Sequence, residues 1–321
     1  MRVAGLADKR IVFVTGKGGV GKSTVAAALG IAAARRGRRT IVAELTGQDR
    51  VATAFGRTDG AGRAHELELA ERLFTTSIDP QHALDEYLHQ KAGALGGVLA
   101  GSRTFHAFLS ATPGMRELLS VGKAWELAQP QRRTAGAEPY DLVVVDAPAT
   151  GHGIAALRTP RTFAEIARVG PIASQGATLD ACFTDPAQTA VVAVALAEEM
   201  PVNETLALRR KLRDELGIEL ACAIVNALVP DRVGPRQARR VEAALAALGG
   251  GDGGGDGGSP AVAAALAAAR SEHVRAGAQR AQVRRLADGL GAAPATLPYL
   301  FGETVDRAGL ELLSDHLEAL L

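Results

Sequence analysis

The chain predicts an α/β fold, a parallel β-sheet flanked by helices, on three observations. Apolar runs of strand length alternate with long Ala/Leu/Arg stretches of helical pattern. Several of these runs are continuously apolar, as strands covered on both faces are. A glycine-rich turn, Gly16–Ser23, joins the first strand to the first helix.

Composition narrows the class. Of 321 residues 47% are hydrophobic and 4% aromatic, so the core is built from Ala, Val, Leu and Ile. That length suits one large α/β domain or two small ones, and a single domain over 1–321 is expected. The formal net charge of +1 gives no global basic footprint for nucleic acid. Cys182 and Cys222 form no C-x-x-C pair, which argues against a zinc site or a disulfide framework and for a reducing compartment. The N-terminus has no secretory pattern, and no apolar run reaches the roughly 18 residues of a membrane span. A soluble cytoplasmic protein without an integral membrane segment is expected.

The elements follow in order. The first strand is "IVFVT" (Ile11–Thr15), and Ser23–Arg36 is a helix of small residues closed by Gly37, with arginines at its end. "TIVAEL" (Thr40–Leu45) and "LFTTSI" (Leu73–Ile78) are the next strands. From His82 to Gln129 the pattern is helical without strong strands, which predicts a helical insertion (approximately 82–130) on one edge of the sheet. Four more strands are "LVVVD" (Leu142–Asp146), "TAVVAVAL" (Thr189–Leu196), "ACAIVNAL" (Ala221–Leu228) and "ATLP" (Ala295–Pro298). "GGGDGGGDGGSP" (Gly249–Pro260) is too poor in apolar groups to order itself and reads as a flexible surface loop between helical segments.

The glycine turn carries the chemistry. Gly16-Lys17-Gly18-Gly19-Val20-Gly21-Lys22-Ser23 fits G-x-x-x-x-G-K-[ST] between a strand and a helix. Such a loop turns backbone N–H groups inward to cradle phosphate oxygens at a helix N-terminus, here continuing to Thr24. Lys22 would reach the β- and γ-phosphates, and the Ser23 hydroxyl would hold Mg²⁺. Asp146, at the end of four apolar strand residues, is placed as a Walker B carboxylate that positions the hydrated ion. The spacing Gly16-x-Gly18-x-x-Gly21 also matches a dinucleotide fingerprint, with Glu44 near the ribose position. The Lys22-Ser23 pair and Asp146 have no role in that reading and favour a nucleoside triphosphate.

Lys17 is left over. The chain has six lysines against thirty arginines, and two of the six fall in this turn. A lysine at the second position of "GKGGVGKST" marks the deviant Walker A loop, and here the chain resembles the ArsA-type ATPases of the SIMIBI class of P-loop NTPases. That family includes arsenite-pump subunits and the ATPases that target tail-anchored membrane proteins. "VVVDAPATGHGIAALRTP" (Val143–Pro160) is similar to its switch II, and "LFTTSIDPQHALDEY" (Leu73–Tyr87) to its strand leading into a helical subdomain. "IVNAL" (Ile224–Leu228) resembles the strand whose Asn meets adenine, and "LPYLFGE" (Leu297–Glu303) the loop that closes over the base.

The resemblance implies a cytoplasmic Mg·ATP-hydrolysing dimer, a homodimer or a heterodimer with a paralogue, in which Lys17 reaches the partner's phosphates. It gives base contacts to Asn226 and Pro298, and selects ATP. It also implies an apolar groove for a hydrophobic-helix client, within a segment that contains Phe105, Phe108, Leu109, Met115, Leu118, Leu119 and Trp125. Two departures stand out. Thr46 occupies the position of the family's water-orienting Asp, leaving Glu44 or Asp49 as substitutes and turnover slow or partner-dependent. The cysteine content supplies neither a metalloid cluster nor a zinc clasp. Two other readings use the same loop: a MinD/ParA-like positioning ATPase, whose basic membrane helix is not matched by the acidic "AGLELLSDHLEALL", and a weakly active regulatory partner of a paralogue.

Overall fold

The computed structural model describes residues 5–45, 47–57, 65–87, 112–134, 136–167, 170–249, 259–302 and 304–321. Its strands are β1 (Ile11–Gly16), β2 (Thr40–Glu44), β3 (Leu67–Ala70), β4 (Leu73–Ser77), β5 (Leu142–Ala149), β6 (Thr189–Leu196), β7 (Leu220–Leu228) and β8 (Ala295–Pro298). They form one sheet in the order β3-β4-β2-β5-β1-β6-β7-β8. Every pairing is parallel except β3 with β4. The labelled helices are α1 (Lys22–Arg35), α2 (Arg50–Ala54), α3 (Met115–Leu127), α4 (Thr150–Ala167), α5 (Pro171–Thr184), α6 (Glu199–Lys211), α7 (Pro235–Gly249), α8 (Pro260–Leu290) and α9 (Arg307–Leu317). Among the described residues no helix is long and apolar enough to cross a membrane.

The continuous apolar strands are covered on both faces. Ile11, Phe13, Val143, Val145 and Val191 point into a core shared with α3, α4 and α5. Val12, Val14, Val144 and Val192 point into a second core against α1 and α9. The small residues of α1 let it lie close to the sheet, and Arg35 at its end donates to Ser314 (2.9 Å) and Asp315 (2.6 Å) of α9. On the opposite face α4 and α5 are joined without slack. A Cβ on Gly176 would come within 2.6 Å of the Pro160 carbonyl oxygen, and Arg161 spans to both oxygens of Asp180 at 3.2 Å.

Seven expected strands are present within a few residues of their expected bounds. The antiparallel β3 is additional: its sequence "LELA" is short, charged and half exposed, as edge strands are. The expected placement of a helical insertion on the sheet's edge needs correction. Helix α3 lies against a sheet face, with Val121, Ala124 and Leu127 fully buried beside β5. Met115 and Leu118 are buried in the same core, and Leu119 and Trp125 pack against it, so these four of the apolar residues quoted above serve packing. Phe105, Phe108 and Leu109 lie outside the described residues, as do Thr46, Glu303 and residues 250–258 of the glycine-rich loop. The helices flanking that loop, α7 and α8, pack on each other.

A charged network fastens α3. Glu126 pairs with Arg132 (3.1 Å) and Lys123 (3.0 Å), and Lys123 also reaches Glu86 (2.6 Å). Arg132 in turn pairs with Glu66, which accepts a hydrogen bond from the Tyr140 hydroxyl (2.6 Å). The side chains of Glu126 and Arg132 are each 1% exposed, so removing Glu126 leaves the buried Arg132 with Glu66 as its remaining carboxylate and Lys123 with Glu86. Glu126→Ala is expected to lower the unfolding free energy by about 2–3 kcal/mol, because each cation keeps one carboxylate. Urea denaturation tests this, and a loss below about 1 kcal/mol would show the network to be energetically idle.

Candidate functional site

The site is assembled at the carboxyl ends of the strands, where the chain order reverses about β1. From β1 the chain crosses to β2 on one side, while β5 leads through α4 and α5 to β6 on the other. Crevices of this kind open at such reversals.

Gly16 ends β1 at φ 151° and lies so close to β6 that a Cβ would collide with the Val194 carbonyl oxygen. Gly21, at φ 89° and ψ 32°, opens α1 in a left-handed conformation, and a Cβ there would collide with Asn226 Nδ2. Between them Val20 is 1% exposed, its side chain anchored in the core beneath the loop. The loop is also tied from β7, where Asn226 Nδ2 donates to the Val20 carbonyl at 3.0 Å. Lys22 Nζ donates to the Lys17 carbonyl at 3.0 Å, folding its ammonium back over the turn. Ser23 Oγ donates to Asp146 Oδ2 at 2.5 Å.

Glu44 and Asp146 are register partners on β2 and β5, so two carboxyls stand side by side at the sheet's end. Both are buried. Burial raises the Asp146 pKa, against the Ser23 hydrogen bond and the positive charges of Lys22 and Arg50. Burial lowers the pKa of Lys22, with Asp146 opposing that shift. The Glu44 carboxyl is pushed up to about 7 by burial, with the Val51 N–H opposing and Asp146 adding to the shift. Glu44 Oε1 accepts the Val51 N–H at 3.1 Å and so anchors the first turn of α2.

A cleft of about 770 Å³ runs along this edge. Gly19, Gly21, Lys22, Ser23 and Thr24 line it from the loop, together with Thr304 to Asp306 from the segment after β8. Gln48 and Arg50, from the start of α2, line it as well. The sequence reading passed over these two, although an arginine beside Asp49 in the loop after β2 was the available signal.

The remaining expected residues fall into two groups. Gly18 lies in the turn, and Pro298 ends β8 beside Leu228 of β7, so Asn226 and Pro298 share one end of the sheet. Asp49 immediately precedes α2 in a left-handed conformation (φ 49°), and its carbonyl accepts from Thr53 N at 3.0 Å. His152, on the first turn of α4, does not line the cleft but a second cavity of about 510 Å³, with Gly47, Ser77, Arg116 and Pro148. Lys17 points away from its own cleft. Its ammonium pairs with Glu204 of α6 at 3.4 Å and touches the Met200 thioether, contacts between distant segments that no local pattern announces.

A phosphate-type loop, its buried carboxylate and the parallel sheet behind them now stand together, and the profile of the anion-transporting ATPase family matches residues 9–175 and 166–245. The chain belongs to that family. ATPase BagA of Mycobacterium tuberculosis is 33% identical over 207 residues, which are 63% of this chain and 60% of that protein. ATPase GET3 of Zygosaccharomyces rouxii is 28% identical over 241 residues, 63% of this chain and 67% of that protein. The alignment thus spans about three fifths of the BagA length.

A carboxyl whose folded pKa exceeds its free value keeps a proton that the unfolded chain releases, so its contribution to stability falls as pH rises between the two. For Glu44 that window runs from 4.5 to about 7. Glu44→Gln keeps the acceptor for Val51 and removes the titration. In magnesium-free buffer the variant should gain on the wild type across this window, by at most about 1.4 kcal/mol per pH unit, and hold a constant difference above it. Denaturation curves with the same pH slope for both proteins would refute the assignment.

Proposed function

We propose that this chain is a magnesium-dependent ATPase subunit that closes on a second subunit, a copy or a paralogue, around bound ATP and couples the nucleotide state to a client or partner. The observation that carries the reading is the Ser23 Oγ–Asp146 Oδ2 contact of 2.5 Å, at the mouth of a cleft lined by the loop and Lys22. A hydroxyl and a carboxylate with no nitrogen or sulfur donor suit Mg²⁺, which keeps most of its waters and takes one or two protein oxygens plus phosphate. When bound, the ion neutralises charge on the phosphate oxygens.

The chain's own groups would do the following. Loop N–H groups and Lys22 hold the β- and γ-phosphates, and Ser23 and Asp146 hold the ion. Glu44 or Asp49 orients the water; Glu44 stands beside Asp146 but is engaged with α2, which agrees with slow turnover. Asn226 and Pro298 contact the base, and Asn226 exchanges its bond to Val20 as the nucleotide enters. Lys17 exchanges Glu204 for phosphate on the second subunit. Its present ion pair is partly exposed, and such pairs contribute about 1 kcal/mol or less, so release is cheap.

Two variants test this. Lys17→Ala should leave the monomer's thermal midpoint unchanged while abolishing ATP-dependent dimerisation and turnover, read by light scattering and phosphate release. Full activity in that variant would remove the second-subunit role. Asp146→Asn should bind nucleotide without the magnesium enhancement seen in the wild type and lose about 100-fold or more in turnover. Wild-type protein without magnesium-dependent affinity for any nucleoside triphosphate would overturn the proposal as a whole.

A further inference from the structure

We infer that Arg50 is a further catalytic residue of this chain, its guanidinium contacting the terminal phosphate of a nucleotide bound in the same subunit. The assignment rests on the ATPase reading above and extends it to a group outside the phosphate loop. Arg50 is the first residue of α2 and lines the same cleft as Lys22, Ser23 and Thr24. Its position is enforced: the buried Glu44 carboxyl accepts the N–H of the next residue, Val51, so the turn carrying Arg50 is pinned to the end of β2. Among the described residues the guanidinium has no hydrogen bond and no carboxylate within 4.0 Å.

The location along the cleft follows from the neighbours. Lys22 and Ser23 line the cleft with Arg50, and Ser23 is hydrogen-bonded to Asp146, so the groups suited to the terminal phosphate and the ion are its neighbours. Arg50 is close enough to Lys22 and Asp146 to act on the charge of both. A cation held beside Lys22, near Asp146 but paired with no carboxylate, has its donors open to an anion, and a planar fork of N–H donors matches phosphate oxygens.

The chemistry requires such a group. Hydrolysis forms a bond from a water oxygen to the γ-phosphorus and breaks the bond from that phosphorus to the β–γ bridging oxygen. The electron pair of the broken bond leaves on ADP, and the water's proton passes to phosphate or solvent. Negative charge shifts toward the bridging and terminal oxygens as this happens, and a fixed guanidinium there stabilises it. An arginine in the same subunit would partly offset the position where Thr46 replaces a water-orienting acid.

The test compares full-length wild type with Arg50→Ala and Arg50→Lys, using calorimetric binding of Mg·ATP and Mg·ADP and steady-state turnover. Arg50→Ala should lower kcat by about 10²–10³-fold and weaken ATP by about 10-fold or more, while ADP binding changes less than about threefold. Arg50→Lys should recover part of the ATP affinity and little of kcat, because a point charge replaces the fork. Unchanged kcat and an unchanged ATP-to-ADP affinity ratio in Arg50→Ala would overturn the assignment while leaving the ATPase reading intact. Equal losses for both nucleotides would overturn it too, by placing Arg50 away from the terminal phosphate. A wild type that binds neither nucleotide would overturn the ATPase reading and the assignment with it.

Discussion

The arrangement at the sheet's end depends on one hydrogen bond, Ser23 Oγ to Asp146 Oδ2. It joins the first turn of the helix after the first strand to a buried position near the end of the strand beside it. Asp146 is 2% exposed, and a carboxylate removed from water to that degree must be matched by donors or give up its charge. The fold offers it the charge of Arg50 and, from the loop itself, the Ser23 hydroxyl and the Lys22 ammonium. The same two groups are those a phosphate loop presents to ligand, so the solution to a folding problem and the recognition of a charged ligand share atoms.

The surrounding structure holds that bond in place. On one side Val20 is sunk in the core and Asn226 grips its carbonyl from β7, three strands away from β5 in the sheet. On the other side Glu44 stands in register with Asp146 and fixes the turn that follows β2. The loop therefore sits in a rigid frame before any ligand arrives, and little ordering cost remains at binding.

Much of this was legible in the sequence because it is local. The strands announce themselves by continuous apolar runs, and the loop by glycines at positions where β6 and Asn226 leave no room for a side chain. What was not legible is relational. The apolar face of α3 is visible in its spacing, but spacing does not say whether a sheet or a partner covers it, and here the sheet does. "LELA" is too short a run to be told from a turn, and it becomes a strand only through pairing with β4. The Glu204 partner of Lys17 and the Val20 partner of Asn226 lie far off in the chain. Asn226 was read for its base contact alone, whereas its amide also ties down the loop.

The packing of α4 has a mechanical implication. Its Gly153 sits under the phosphate loop so closely that a Cβ would fall 2.6 Å from Thr15 Oγ1, and farther along it meets α5 through Gly176 and the Arg161–Asp180 fork. Eighteen residues of helix span about 27 Å. Contacts without play do not absorb a push; they hand it on. A shift of a few tenths of an ångström at Thr15 would thus press on the helix's first turns, and Pro160, whose ring interrupts the backbone ladder where α5 abuts, is the joint at which the push would turn into a bend.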